Sequence, residues 1–229
     1  MKRLAWAVSG QGRALQAVLE ATEAGLLPVS VVAVATDRPS PIAELAEARG
    51  VPCRLIPPGA GAYHPDLAAL LRETEAEWLG LTFNRLLSEE VLGQMRGRVF
   101  NLHLSLLPMF PGFGALRRTL EQGMRMCGVT VHLVDATLDQ GPILAQGCAP
   151  VARSDSRAAL GRRLFETSLP LLLQVVRSIG AGELRFSPET GLDWPRADLP
   201  PPGPTPRFPL VDEDLLRFAE RYCAALPAG

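Results

Sequence analysis

The sequence has few cysteines, no surplus of basic residues and no long apolar run, and each shortage excludes a class of protein. The cysteines, which are widely spaced, indicate neither a zinc site nor a disulfide scaffold: Cys53, Cys127, Cys148 and Cys223. No stretch approaches the roughly 18 apolar residues of a membrane span, and the amino terminus lacks a signal-peptide pattern. The net charge of −1 is not typical of nucleic-acid binders. We therefore expect a cytoplasmic protein that binds no membrane, no nucleic acid and no metal ion.

The length and composition fit one large domain, alone or with an appendage. Of the 229 residues, 47% are hydrophobic and 21% are charged, which excludes a disordered or fibrous chain. Eight of the 21 prolines lie between Pro188 and Pro209 and mark a break in the chain. We predict a main domain over residues 1–186, followed at 187–229 by a proline-rich linker and a short C-terminal helix near Asp212–Ala225.

Short apolar runs alternate with helical patterns over the first hundred residues. This alternation predicts βαβ units and an α/β fold with a doubly wound, mostly parallel, Rossmann-like sheet. Its strands are predicted at Leu4–Val8, Val29–Ala35, Val51–Ile56, Trp78–Phe83 and Val99–Leu102. Two further strands, Val129–Val134 and Ile143–Pro150, are joined by too few residues for a crossover helix, so we expect an antiparallel edge. A long amphipathic helix, about Ser156–Ile179, should pack back onto the sheet.

The first predicted strand runs into a glycine-bearing turn, Ser9–Arg13. Doubly wound folds bind phosphate at this position, against a helix N-terminus. The turn is not a dinucleotide fingerprint, because the third glycine of G-x-G-x-x-G would fall at Leu15. Asp37 follows the second strand, where a ribose-binding acid would stand. The pattern nevertheless favours anion binding, or a simple strand-to-helix turn, over nicotinamide binding.

A second candidate site lies where the fifth strand ends. Asn101 and His103 share one face of that strand because side chains alternate, and ligands bind at this edge of open α/β sheets. Asp139 lies in a turn that Gly141 and Pro142 constrain. An asparagine that stabilises an oxyanion, a histidine that moves protons and an aspartate that supports the imidazolium suit acyl transfer to an amine. His132, in mid-strand, is interpreted as a structural histidine with a partner.

These segments resemble a known family. Asn101–Gly112, Gly128–Val134 and Leu138–Ile143 are similar, in sequence and in order, to the folate-dependent formyltransferases, and most of all to the branch that acts on phosphoribosylglycinamide. The resemblance covers about residues 3–186 and implies the formyltransferase fold, with 10-formyltetrahydrofolate as co-substrate and no metal. It also implies three catalytic roles: Asn101 polarises the formyl oxygen, His103 transfers the proton and Asp139 tunes that histidine.

The resemblance implies binding segments as well. The strand-end segment whose backbone holds the pterin matches residues 84–87, and the loop from about 134 to 139 forms the other wall of that pocket. The implied folate-binding residues are therefore Asn84, Arg85, Leu86, Leu87, Asn101 and Val134. The turn that binds the acceptor's phosphate matches Gly10, Gln11, Gly12, Arg13 and Ala14.

Departures from the family pattern concentrate on the acceptor side. Arg13 and Ala14 stand where small polar residues are usual, and Phe113–Leu116 replaces a polar run. The acidic residue that the long helix usually offers has no clean match, since Glu166 and Ser168 flank its place. A tail that reaches over the acceptor cleft would compensate for the altered turn.

The expected function is formyl transfer from 10-formyltetrahydrofolate to a primary amine, with phosphoribosylglycinamide of purine synthesis as the leading acceptor. Another small amine such as an aminosugar nucleotide, hydrolysis of the formyl folate, and non-catalytic folate or anion binding are the alternatives. The length leaves no room for the extra domains of the methionyl-tRNA formylase or the deformylase, which favours a small acceptor. The sequence does not specify an oligomeric state.

Overall fold

The computed structural model describes residues 1–56, 63–187, 189–194, 207–208 and 211–227. All eight prolines of the predicted cluster lie outside these ranges. In chain order the elements are β1 Lys2–Val8, α1 Arg13–Glu23, β2 Val29–Thr36, α2 Pro41–Ala48, β3 Cys53–Leu55, α3 Tyr63–Glu73, β4 Trp78–Thr82, α4 Glu89–Gln94, β5 Val99–His103, α5 Ala115–Glu121, β6 Met126–Leu133, β7 Ile143–Pro150, α6 Arg157–Ala181, β8 Arg185–Ser187, β9 Gly191–Asp193, β10 Arg207–Phe208 and α7 Glu213–Ala225.

The main sheet has eight strands among the described residues, in the order β10-β7-β6-β5-β4-β1-β2-β3. Strands β3, β2, β1, β4 and β5 are parallel, whereas β6, β7 and β10 form an antiparallel edge. This arrangement confirms the predicted doubly wound sheet and its antiparallel edge. The chain winds in opposite directions from β1 and from β4, so a crevice opens between them at the carboxyl ends of the strands.

Two hydrophobic cores cover the faces of this sheet. Along β1, Leu4, Trp6 and Val8 face a core with α1, α6 and α7, whereas Ala5 and Ala7 face a core with α3 and α4. This alternation is the period of two that a strand buried on both faces requires. None of the helices in the described ranges, including the 25-residue α6, combines the length and hydrophobicity that a bilayer span needs.

Most observed elements lie within a few residues of their predicted bounds. Strand β6 starts at Met126 rather than Val129, because the strand continues through Gly128, which pairs with Cys148 of β7. Helix α3 begins two residues before Pro65, since proline is accepted in the first turn of a helix. The small antiparallel sheet of β8 and β9 was not predicted.

Residues beyond position 186 contribute to the first core. Trp194 and the α7 residues Leu215 and Ala219 are buried in it. Helix α7 also docks on α6 through polar contacts, because Nη1 of Arg177 lies 2.8 Å from both carboxylate oxygens of Asp214. The C-terminal helix therefore packs on the α/β core, while the division of the chain at residue 186 stays a prediction.

Candidate active site

A cleft of about 1470 Å³ opens at the carboxyl ends of β1, β4 and β5. This is the position at which open α/β sheets bind ligands. Nearly all residues predicted for catalysis or binding line the cleft: Gln11, Gly12, Arg13, Ala14, Asn84, Arg85, Leu86, Leu87, Asn101, His103, Val134 and Asp139. Gly10 is the exception, and its φ of 89° supplies the left-handed bend of the first turn instead.

Asp139 lies between two histidines in this cleft. Its Oδ2 is 3.3 Å from Nδ1 of His103, and its Oδ1 is 3.5 Å from Nε2 of His132. The backbone N–H of Gly112 donates to the same Oδ2 at 2.7 Å. Nε2 of His103 lies 2.9 Å from the carbonyl oxygen of Phe110. Both ring nitrogens of His103 therefore face acceptors, and the protonated ring can donate to both.

His132 holds the amide of Asn101, a function that the sequence reasoning missed. Nδ1 of His132 lies 2.9 Å from the carbonyl oxygen of Leu133, which can only accept, so Nδ1 carries the hydrogen. Nε2 then accepts a hydrogen bond from Nδ2 of Asn101 at 3.3 Å. Burial lowers the pKa of His132, which favours this neutral ring. Within the described part of the chain, the second N–H of the Asn101 amide has no acceptor, so it can donate to a ligand.

The pairing of β5 with β6 is the signal that would have revealed His132. These strands are antiparallel, and their register places His132 directly opposite Asn101. Directly opposed side chains on one face of a sheet lie within contact distance. The sequence predicts the antiparallel edge but does not specify its register.

The loop that carries Asp139 depends on a close backbone approach at Gly141. A Cβ atom at that position would lie 1.9 Å from the carbonyl oxygen of Leu133, so no larger residue fits without a shift of the backbone. Asp139 itself has a φ of 53°, a left-handed conformation that aspartate adopts more readily than most residues. The course of this loop therefore requires glycine two residues after Asp139.

Asp37 connects the glycine-bearing turn Ser9–Arg13 to Asn84, which lies just after β4. Its side chain is fully buried, and its Oδ2 accepts a hydrogen bond from the hydroxyl of Ser9 at 2.9 Å. The Ser9 hydroxyl oxygen in turn accepts from the backbone N–H of Asn84 at 3.1 Å. Hydrogen bonds from Arg38 hold the pKa of Asp37 below its usual value, and Nε of Arg85 lies 3.6 Å from Oδ2. Both carboxylate oxygens are engaged inside the protein, which gives no support to a ribose-binding role for Asp37.

The far wall of the cleft is formed by the first turns of α6. Arg157, Arg162, Phe165 and Ser168 line it. Glu166 does not line the cleft, and it pairs with Nε of Arg162 at 3.1 Å. Of the two residues that flank the place of the expected acid, only the uncharged Ser168 therefore lines the cleft.

Two residues that follow α7 also line the cleft, Leu226 and Pro227. The sequence analysis expects a tail over the acceptor cleft but does not identify these two residues. The carbonyl oxygen of Pro227 accepts a hydrogen bond from Nη1 of Arg162 at 3.3 Å. The segment after α7 thus contacts the same wall as the first turns of α6.

Large apolar side chains are exposed inside the cleft. Leu86 and Phe113 are each 59% exposed, and Leu138 is 45% exposed. Exposed apolar surface within a concave site is typical of a binding site for a partly apolar ligand. Among the described residues, no group of three or more His, Cys, Asp or Glu side chains is placed to hold a metal ion.

The sequence pattern of one family, Formyl transferase, matches residues 2–176. The chain belongs to this formyltransferase family. The phosphoribosylglycinamide formyltransferase of Mycobacterium tuberculosis is 36% identical to it over 182 residues, which cover 77% of this chain and 84% of that protein. The corresponding enzyme of Bacillus subtilis is 30% identical over 172 residues, which cover 72% and 88%.

A solved structure agrees with this assignment. Glycinamide ribonucleotide transformylase 1 from Symbiobacterium toebii matches this chain with a TM-score of 0.78 and 32% sequence identity. The match covers 85% of this chain and 94% of that one. The predicted family resemblance and fold are thereby confirmed. The family match ends within α6, so helix α7 and the residues that follow it lie beyond the matched segment.

Proposed function

We propose that this formyltransferase transfers the formyl group of 10-formyltetrahydrofolate to the primary amine of phosphoribosylglycinamide, a step of purine biosynthesis. The observation that carries the proposal is the assembly of Asn101, His103 and Asp139 in one cleft of a chain whose relatives bear that enzyme's name. These three residues are the proposed catalytic residues. Residence in the cytoplasm, predicted from the sequence, belongs to the same proposal.

The donor side of the cleft suits the folate. Residues 84–87, which follow β4, and Val134, which follows β6, line this end of the cleft. The exposed side chains of Leu86 and Leu138 offer apolar surface to an aromatic ring system. We assign the pterin to this end, with Asn84, Arg85, Leu86, Leu87 and Val134 as the binding residues.

Formyl transfer would proceed by addition and elimination. The amine nitrogen attacks the formyl carbon, a C–N bond forms and the carbonyl electron pair moves to oxygen. The free N–H of Asn101 stabilises that oxyanion, an effect worth about 10²- to 10³-fold in rate for a single donor. His103 accepts the proton that the amine loses, and Asp139 at 3.3 Å stabilises the resulting imidazolium.

The intermediate then collapses. The carbonyl re-forms, the bond from carbon to N10 of the folate breaks, and His103 returns its proton to N10. The products are the formylated amine and tetrahydrofolate, and His103 ends neutral as it began. This sequence needs no nucleophile from the protein.

The first turn of α1 suits the phosphate of the acceptor. Gly12 precedes the helix with a φ of 69°, and no side chain caps the first N–H groups. Such uncapped N–H groups bind anions, and the helix dipole adds to the attraction. We assign the acceptor phosphate to this turn, residues 10–14, and Arg13 to a charged contact with it.

The test is turnover by the purified protein with 10-formyltetrahydrofolate and phosphoribosylglycinamide, followed by tetrahydrofolate release and by mass spectrometry of the amine. We expect a formylated amine with the wild type and none with His103→Ala, which should still bind the folate. Folate binding without formylation would remove the acceptor assignment, and amine-independent release of tetrahydrofolate would indicate a hydrolase. Equal, negligible activity in both proteins would indicate a binding protein.

A further inference from the structure

We infer that the segment Tyr222–Pro227, at the end of α7, is part of the acceptor-binding site and determines how tightly the acceptor binds. The inference rests on the proposed function, because it specifies the acceptor side of the same cleft. The segment lies beyond residues 2–176 that match the family, and it contacts both walls of the acceptor side.

The first contact is with α1. The hydroxyl of Tyr222 donates to the carbonyl oxygen of Arg13 at 3.1 Å, across 209 positions of sequence. The tyrosine is 8% exposed and its ring stacks on Phe218, with the centroids 6.1 Å apart. Burial raises the pKa of the Tyr222 phenol, so the hydroxyl stays protonated and remains a donor at physiological pH. This bond fixes the backbone of the residue that begins α1 and lines the cleft.

The second contact is with α6. The guanidinium of Arg162 is held from two sides, by the carbonyl oxygen of Pro227 at 3.3 Å and by the carboxylate of Glu166 at 3.1 Å. Because Leu226 and Pro227 also line the cleft, the segment supplies part of its surface directly. One short segment therefore sets the position of Arg13 on one wall and of Arg162 on the other.

The charge of this region indicates the class of acceptor. Arg13 and Arg157 line the cleft, and neither guanidinium has a carboxylate partner among the described residues. The segment after α7 adds apolar side chains to this wall, Leu226 and Pro227, which leave both charges unneutralised. A phosphorylated amine supplies the missing negative charge, whereas a neutral amine of the same size does not.

The test is steady-state kinetics of full-length variants with phosphoribosylglycinamide as acceptor. Tyr222→Phe removes one hydroxyl and keeps the stacked ring, and Arg162→Ala removes the contact with Pro227. We expect each change to raise the acceptor KM by about 3- to 10-fold, the effect of one hydrogen bond, with kcat and the Kd of the folate within about 2-fold of wild type. Thermal unfolding midpoints of both variants establish that they are folded.

Arg217→Gln is the matched control, because Arg217 lies on the exposed side of α7 and its carboxylate partner, among the described residues, is Glu213 alone. We expect an unchanged acceptor KM for this control. An unchanged acceptor KM in both test variants overturns the inference, as does a parallel loss of folate affinity, which would indicate general loosening of the cleft. Failure of the wild type to formylate the amine overturns the proposed function instead, so the two failures are distinguishable.

Discussion

Replacing Asp139 by asparagine removes one charge from the transfer site and keeps the shape of the side chain. Asparagine adopts the left-handed backbone conformation of this position as readily as aspartate does, so the loop should keep its course. The amide oxygen can still accept the N–H of Gly112. The change therefore isolates the charge that faces His103.

The size of the effect follows from the geometry. Two unit charges 3.3 Å apart interact by about 5 kcal/mol at an effective dielectric constant of about 20. Solvent screens the pair weakly, because the side chains of His103 and Asp139 are 9% and 10% exposed. Since 1.36 kcal/mol corresponds to a factor of ten in rate, this energy sets an upper limit of about 10⁴-fold. We expect kcat to fall by about 10²- to 10⁴-fold, the range typical of acid–base catalysis.

Tetrahydrofolate release at saturating substrates measures this effect, and calorimetry measures the Kd of the folate, which should not change. Glu121→Gln removes the same charge from an exposed residue of α5 and should leave kcat unchanged. A loss of less than 10-fold in Asp139→Asn, with intact folate binding, would refute the electrostatic argument.

Three further substitutions test other parts of the site. Asn101→Ala removes the proposed oxyanion donor and should lower kcat by about 10²- to 10³-fold in the same turnover assay. The folded state holds the pKa of His132 below the usual 6.5, so the unfolded chain binds the proton first as the pH falls. The unfolding free energy should therefore decrease as the pH drops below about 6.5, and His132→Gln should reduce that dependence in urea denaturation. Asp37→Asn removes a buried charge that Ser9 and Arg38 contact, and should cost about 1.5–3 kcal/mol of stability and weaken folate binding.

Each of these expectations has an outcome that contradicts it. A wild-type kcat in Asn101→Ala would exclude that amide from oxyanion stabilisation. An equally steep loss of stability at low pH in His132→Gln would mean that other groups take up the protons. Unchanged stability of Asp37→Asn would show that the buried carboxylate does not stabilise the contact of the turn Ser9–Arg13 with Asn84.

The order of strands and helices could be predicted because most elements bury a regular face. The alternation along β1 is an example, with Trp6 in one core and Ala7 in the other. Predictions were weaker where tertiary contacts override local preference. Gly128 suggests a strand boundary, but pairing with β7 keeps it inside β6. The burial of Trp194 depends on a core that its own flanking residues do not reveal.

Some residues of the site could likewise be predicted from the sequence, whereas others depend on tertiary contacts. His103 and Asp139 could be proposed from residue type, turn position and family resemblance. The contact of His132 with Asn101 depends on strand register, which residue types do not encode. The contacts of Arg162 and Tyr222 depend on the docking of α7, and no local pattern indicates which part of the cleft a distant helix will reach.

The hydrogen bond from Tyr222 to Arg13 also bears on how the cleft forms during folding. The bond joins residues 209 positions apart, and closing so long a loop costs more entropy than closing a short one. The proposed donor-side and catalytic residues all lie between positions 84 and 139, so the contacts among them close shorter loops. Contacts of large sequence separation slow folding. We therefore expect the donor half of the cleft to form before the acceptor wall when the unfolded chain refolds.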